Sequence, residues 1–134
     1  MIQVFGLIFS LAINFSPEAS LQNSEFLVQQ LKNDSSDLRI NALEKLGELK
    51  YAETIPAIAD RASDPVPEVR FAAIRALAKF ANQPALDALN SSFSSETDSY
   101  LKSEIRRSKK SIEDILKAEV DRQEKEAAKA ARKK

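Results

Sequence analysis

The sequence predicts an all-α fold, a short α-solenoid of about three antiparallel helix pairs with an extended, charged C-terminal helix. Three observations carry that expectation. Ala, Leu, Lys, Glu and Ser dominate the 134 residues and β-branched residues are few, a balance that favours helix over sheet. Apolar residues fall at helical spacing, as in Leu38, Ala42, Leu46 and Leu49. The same pattern then returns 31 residues later as Val69, Ala73, Leu77 and Phe80.

The first element stands outside the repeat. From Ile2 to Phe15 the run IQVFGLIFSLAINF carries no charge and is apolar on every side of a helix drawn through it, which excludes an amphipathic surface helix. As a helix its ~14 residues would span about 21 Å, short of the ~30 Å hydrocarbon core. Its length suits the apolar region of a secretory signal, with cleavage after Ser16, Ala19 or Ser20. Residues 1–20 are therefore expected to be a signal peptide or N-terminal hydrophobic segment, with export to a periplasmic or extracellular location. A helix packed on the first repeat and an uncleaved anchor are the alternatives.

Three units follow, at about 24–50, 54–81 and 84–108. Leu27, Ile58 and Leu89 stand at 31-residue intervals, as do Leu31, Ala62 and Phe93. Arg39 matches Arg70, Ala42 matches Ala73 and Leu46 matches Leu77, while the third copy slips by one to Leu101-Lys102 and Ile105. Each unit reads as a short helix, a turn (NDSSD, SDPVPE or SSETDS) and a second helix. Ser, Asp and Asn in those turns accept from the free N–H groups of the next helix, and Pro cannot continue the previous one. A lone pair of short helices cannot bury its stripe, so neighbouring pairs must stack into one core.

The last element is the tail, 109–134. Residues 101–134 hold twelve Lys/Arg against seven Asp/Glu, whereas the first hundred hold eight against thirteen, so the net charge of zero conceals an acidic body and a basic tail. Leu101, Ile105, Ile112, Ile115, Leu116 and Val120 form a thinning apolar stripe, and DRQEKEAAKAARKK beyond it has almost none. The early part is expected to cap the solenoid and the helix to fray after about Val120.

At these residues the sequence resembles HEAT repeats, in particular the short version found in phycobilisome-lyase-type proteins. Asp34, Leu38-Arg39 and Ala42, then Asp64-Pro65, Glu68-Val69-Arg70, Ala73 and Leu77, follow the pattern that marks the inter-helix turn and second helix of that family. In the third unit Glu96 stands for Asp and Lys102 for Arg. The resemblance implies a fold and a habit of binding other proteins, and it carries no reaction. Relatives of the lyase type suggest, as an alternative, an accessory subunit that positions a substrate protein for a partner enzyme.

Chemistry has little to work with. Without His or Cys there is no imidazole or thiol chemistry, and nearly every zinc, haem or iron–sulfur site is excluded. Two glycines leave nothing for a phosphate-cradling loop. Neither metal, cofactor nor small-molecule substrate is expected, and Ser99-x-x-Lys102 is a four-residue coincidence with a serine-acylase motif. Arg39 and Arg70 fall on the apolar side of their helices and need acceptors; Asp34 and Asp64 are the candidates, as a structural ladder locking successive turns. A substrate-binding arginine pair is the alternative use. The outer side of the second helices, with Asn41, Glu44 and Glu48 in one unit and Ala72, Arg75 and Lys79 in the next, is the candidate partner-binding face, with Ile40 or Phe71 as apolar anchor. Glu44 with Arg75 and Glu48 with Lys79 are expected as surface ion pairs of about 0–1 kcal/mol each. Arg106, Arg107, Lys109 and Lys110 form a basic cluster that could meet an anionic surface. Interleaved carboxylates and the lack of aromatics for base stacking disfavour nucleic acid. The expected partner is another protein, with membrane contact only through the N-terminal segment or the tail.

Overall fold

The structure, a computed structural model, describes residues 17–133, in which six α-helices and one 3₁₀ turn follow in order. They are α1 (Pro17–Gln30), α2 (Ser36–Leu49), the 3₁₀ turn Ala52–Thr54, α3 (Ile55–Arg61), α4 (Pro67–Phe80), α5 (Gln83–Ser95) and α6 (Ser99–Arg132). The expected apolar segment 2–15 lies outside the described residues. No described helix is long and apolar enough to cross a membrane.

Local chemistry sets the boundaries. Pro17 and Pro67 open their helices and Pro56 and Pro84 sit one residue in, where the missing N–H costs nothing. Asn82 and Asp98 cap α5 and α6, their side chains accepting from Ala85 N–H at 3.0 Å and Leu101 N–H at 2.9 Å. α2 and α4 end in the same way, on left-handed residues 31 positions apart, Lys50 at φ 56° and Ala81 at φ 49°. Such a turn is normally made by glycine.

The helices pair as α1/α2, α3/α4 and α5/α6; α2, α4 and α6 form one stacked row, and α3 stacks on α5 behind it. One continuous core runs between these layers. Leu46 and Leu77 are fully buried, as the 31-residue match requires, together with Ile58, Leu89, Ile105 and Ile112. Burying each such side chain contributes about 1.5–3 kcal/mol. Leu43 and Ile74, also 31 apart and also fully buried, widen the core beyond the single expected stripe. α4 is wrapped by α2, α3, α5 and α6, so it needs apolar groups on several sides.

The first unit departs from expectation at its open edge. Leu38 is 45% exposed, although its counterpart Val69 is fully buried. Asn41 and Lys45 are exposed too, where Ala72 and Ala76 at the same register are buried. Ala72, expected outside, instead lies in the α2–α4 seam. The cause is one of position: α4 has α2 beside it on that side, and among the described residues α2 has no earlier second helix beside it. Gly47 shows how tight the seam is, since a Cβ there would stand 3.0 Å from the Ala76 backbone.

The tail differs as well. α6 continues as helix past Val120 to Arg132. Ile112 is its last buried residue, Leu116 is half-buried and every residue from Lys117 to Lys133 is exposed, in step with the thinning of the apolar stripe.

Candidate functional site

Two arginines stitch the turns together and so set the spacing of the outer face. Arg39 donates from Nε to Asp64 Oδ2 at 3.0 Å and from Nη2 to Asp64 Oδ1 at 3.1 Å, while Nη1 reaches the carbonyls of Asn33 (2.8 Å) and Asp34 (3.1 Å). Arg70 repeats this one unit on. It donates to Glu96 Oε2 at 3.0 Å and Oε1 at 3.4 Å, and to the carbonyls of Asp64 (2.9 Å) and Pro65 (3.4 Å). Each guanidinium thus ties its own turn to the carboxylate of the next. Those carboxylates are almost wholly buried, the Asp64 side chain 1% and the Glu96 side chain 4% exposed. They also order their own turns. Asp64 accepts from Val66 N–H at 3.0 Å, and Glu96 accepts from Thr97 and Asp98 N–H at 3.1 and 3.0 Å.

Three of the four expected ladder residues, Arg39, Asp64 and Arg70, are therefore brought together, with Glu96 as the missed acceptor. Asp34 is not a rung: its carboxylate is exposed and only its carbonyl meets Arg39. Asn33 occupies the equivalent place, its side-chain oxygen accepting from Ser35 N–H at 2.9 Å. A neutral amide stands there, and among the described residues no earlier arginine faces it.

The row of second helices presents a groove of about 400 Å³ between α2 and α4. Glu44 and Glu48 of α2 form one wall, Glu68, Arg75 and Lys79 of α4 the other, with Ile40 and Phe71 as its apolar part. Asn41 is exposed but does not line it. The expected Glu44–Arg75 and Glu48–Lys79 pairs are absent among the described residues. Arg75 turns the other way, to Glu104 of α6 at 3.6 Å, and Arg107 reaches the same carboxylate at 3.1 Å. Glu104 is 5% exposed, and a buried carboxylate gains more from a cation than solvated Glu44 does. Arg75 also lies 5.7 Å from the Phe71 ring centroid, and Phe71 stacks on Tyr100 at 6.0 Å. A smaller groove of about 260 Å³, lined in part by Ala78, Glu104 and Ser108, continues the face between α4 and α6.

The sequence profile of HEAT repeats matches residues 24–110. The chain belongs to the HEAT-repeat family. No curated protein sequence matches it. HEAT repeats generally mediate protein–protein interaction, and the family is generally a non-catalytic scaffold. In HEAT terms the grooved row α2–α4–α6 is the set of second helices, and α1, α3 and α5 are the first helices.

The basic cluster divides. Arg107 serves Glu104 and Lys110 pairs with Asp114 at 3.0 Å, whereas Arg106 and Lys109 turn to Phe93 of α5. Lys102 goes with them, its ammonium 5.5 Å from the Phe93 centroid. It stands in the register of Arg39 and Arg70, but among the described residues no further inter-helix turn follows for it to bind. Among the described residues no group of His, Cys, Asp and Glu is arranged to hold a metal ion.

Proposed function

We propose that this HEAT-repeat chain is a non-catalytic scaffold that docks another protein in the α2–α4 groove. The observation that supports this best is the groove's unbalanced charge. Glu44, Glu48 and Glu68 have no cation partner among the described residues, and Arg75 is committed to Glu104. Lys79 alone offsets the three carboxylates. An acidic rim around Ile40 and Phe71 suits an extended or helical segment that carries both basic and apolar side chains. Aromatic anchors that bury into a partner's pocket carry much of an interface's binding energy. Export is part of the same reading, supported by the uncharged apolar run 2–15.

Site-directed photocrosslinking in cells tests the docking face. A benzophenone side chain at Glu48 should capture a partner, and Phe71→Ala in the same chain should abolish the capture. The same probe at Asp87, exposed on α5, should capture nothing. Crosslinks from Asp87 with none from Glu48 would move the interface off the second helices. Sequencing the N-terminus of the mature protein tests export, and an intact Met1 in the soluble cytoplasm would contradict it.

A further inference from the structure

Away from the groove, on the side where α6 meets α5, three cations converge on one ring. Lys102 Nζ, Arg106 Cζ and Lys109 Nζ lie 5.5, 5.0 and 5.3 Å from the centroid of Phe93. They project from successive turns of α6, so the three charges are held within about 11 Å of one another, comparable with the Debye length in physiological salt. Part of the arrangement is packing. Phe93 holds the register of Leu31 and Ala62, which are buried, but it is only partly buried, and alkyl stems from α6 cover apolar surface that a further repeat would have covered.

Packing does not explain the missing counter-charges. Every other arginine from Arg39 to Arg107 has a carboxylate: Arg39 and Arg61 share Asp64, Arg70 has Glu96, and Arg75 and Arg107 share Glu104. Arg106 has none among the described residues, nor do Lys102 and Lys109. Glu113, one turn beyond Lys109, makes no ion pair with it there. The positive charge is left concentrated, with Arg106 exposed and Lys102 and Lys109 half-buried, while Glu104 is spent on Arg107, one residue away.

We propose that Lys102, Arg106 and Lys109 form a binding site for a multivalent phosphate-class anion. Arg106 supplies the planar fork for two oxygens, and the two ammonium groups supply point charges on either side. The footprint is one short cluster around a single ring, which suits a small anion of one or two phosphate groups. A nucleic-acid strand would need a longer cationic track and free aromatic faces, and this ring is already flanked by cations. The phosphate can belong to a lipid headgroup or be free in solution.

The test uses the full chain, the variant Lys102→Gln/Arg106→Gln/Lys109→Gln, and a control of equal charge change, Lys125→Gln/Lys129→Gln/Arg132→Gln. Inorganic pyrophosphate is titrated while the NMR signals of Phe93 and the α6 amides are followed. Saturable shifts centred on Phe93 are expected in the native chain and the control, with affinity lower by roughly a hundredfold in the cluster variant. Melting curves should be alike for all three, so a loss of binding would not be a loss of fold. Phosphatidylcholine vesicles with and without phosphatidylglycerol distinguish the source. Retention on the anionic vesicles alone, lost in the cluster variant and displaced by pyrophosphate, would assign a headgroup. Pyrophosphate binding with no such retention would assign a soluble phosphate. Absence of saturable shifts at Phe93, or an equal loss of affinity in the control, would overturn the proposal.

Discussion

The two halves of α6 are one helix held in two ways. From Ser99 to Ile112 it is the last member of the stacked row, with Leu101, Ile105 and Ile112 buried, Glu104 neutralised by Arg75 and Arg107, and Asp98 capping its start. From Lys117 to Arg132 every residue is exposed, and among the described residues nothing packs on it. The proximal half is helical because burial demands it. The distal half is helical because Ala, Lys, Glu and Arg favour it. Tertiary packing normally supplies most of a helix's stability, so damage to the repeat body should be costly and damage to the distal half should not.

The largest expected effect in the body is at the ladder. Asp64→Ala removes the acceptor of two arginines and the turn's own hydrogen bond to Val66, and stranding the partly buried Arg39 should cost about 3–5 kcal/mol. Denaturant unfolding measures it, and a loss under about 1 kcal/mol would mean that the rungs carry little. Next is the seam. Gly47→Ala puts a methyl against the Ala76 backbone and should cost about 1–3 kcal/mol by overpacking, with the α2–α4 groove widened. A neutral or stabilising result would show that the two helices have room to part. Smaller and opposite in sign is Ala81→Gly, which relieves a left-handed alanine at the end of α4 and should stabilise by about 0.5–1 kcal/mol. Smallest of all is deletion of 121–134, expected to change global stability by under about 0.5 kcal/mol while removing far-ultraviolet helical signal.

Much of the body was legible in the residues themselves. The 31-residue register alone located Leu46, Leu77, Arg39 and Arg70, because each repeat meets the same neighbours. Where charge and register disagree, register decides the rung. Asn33, and not the acidic Asp34, is the residue 31 before Asp64. Leu38 departs from the pattern for a different reason: a repeat does not say which unit has no neighbour on that side. The pairing of Arg75 with Glu104 was not legible either, since it depends on how deeply α6 buries that carboxylate. Phe93 is legible as an apolar register position. Its ring of cations comes from the meeting of α5 with a helix whose register has slipped by one residue.

Native-state hydrogen exchange along α6 tests most directly whether one shared apolar seam holds this molecule together. Amides from 101 to 112 should exchange only through global unfolding, together with the buried amides of α4, and those from 121 to 132 should exchange far faster through local opening. Uniform protection along the whole of α6, or exchange of 101–112 before α4, would contradict it.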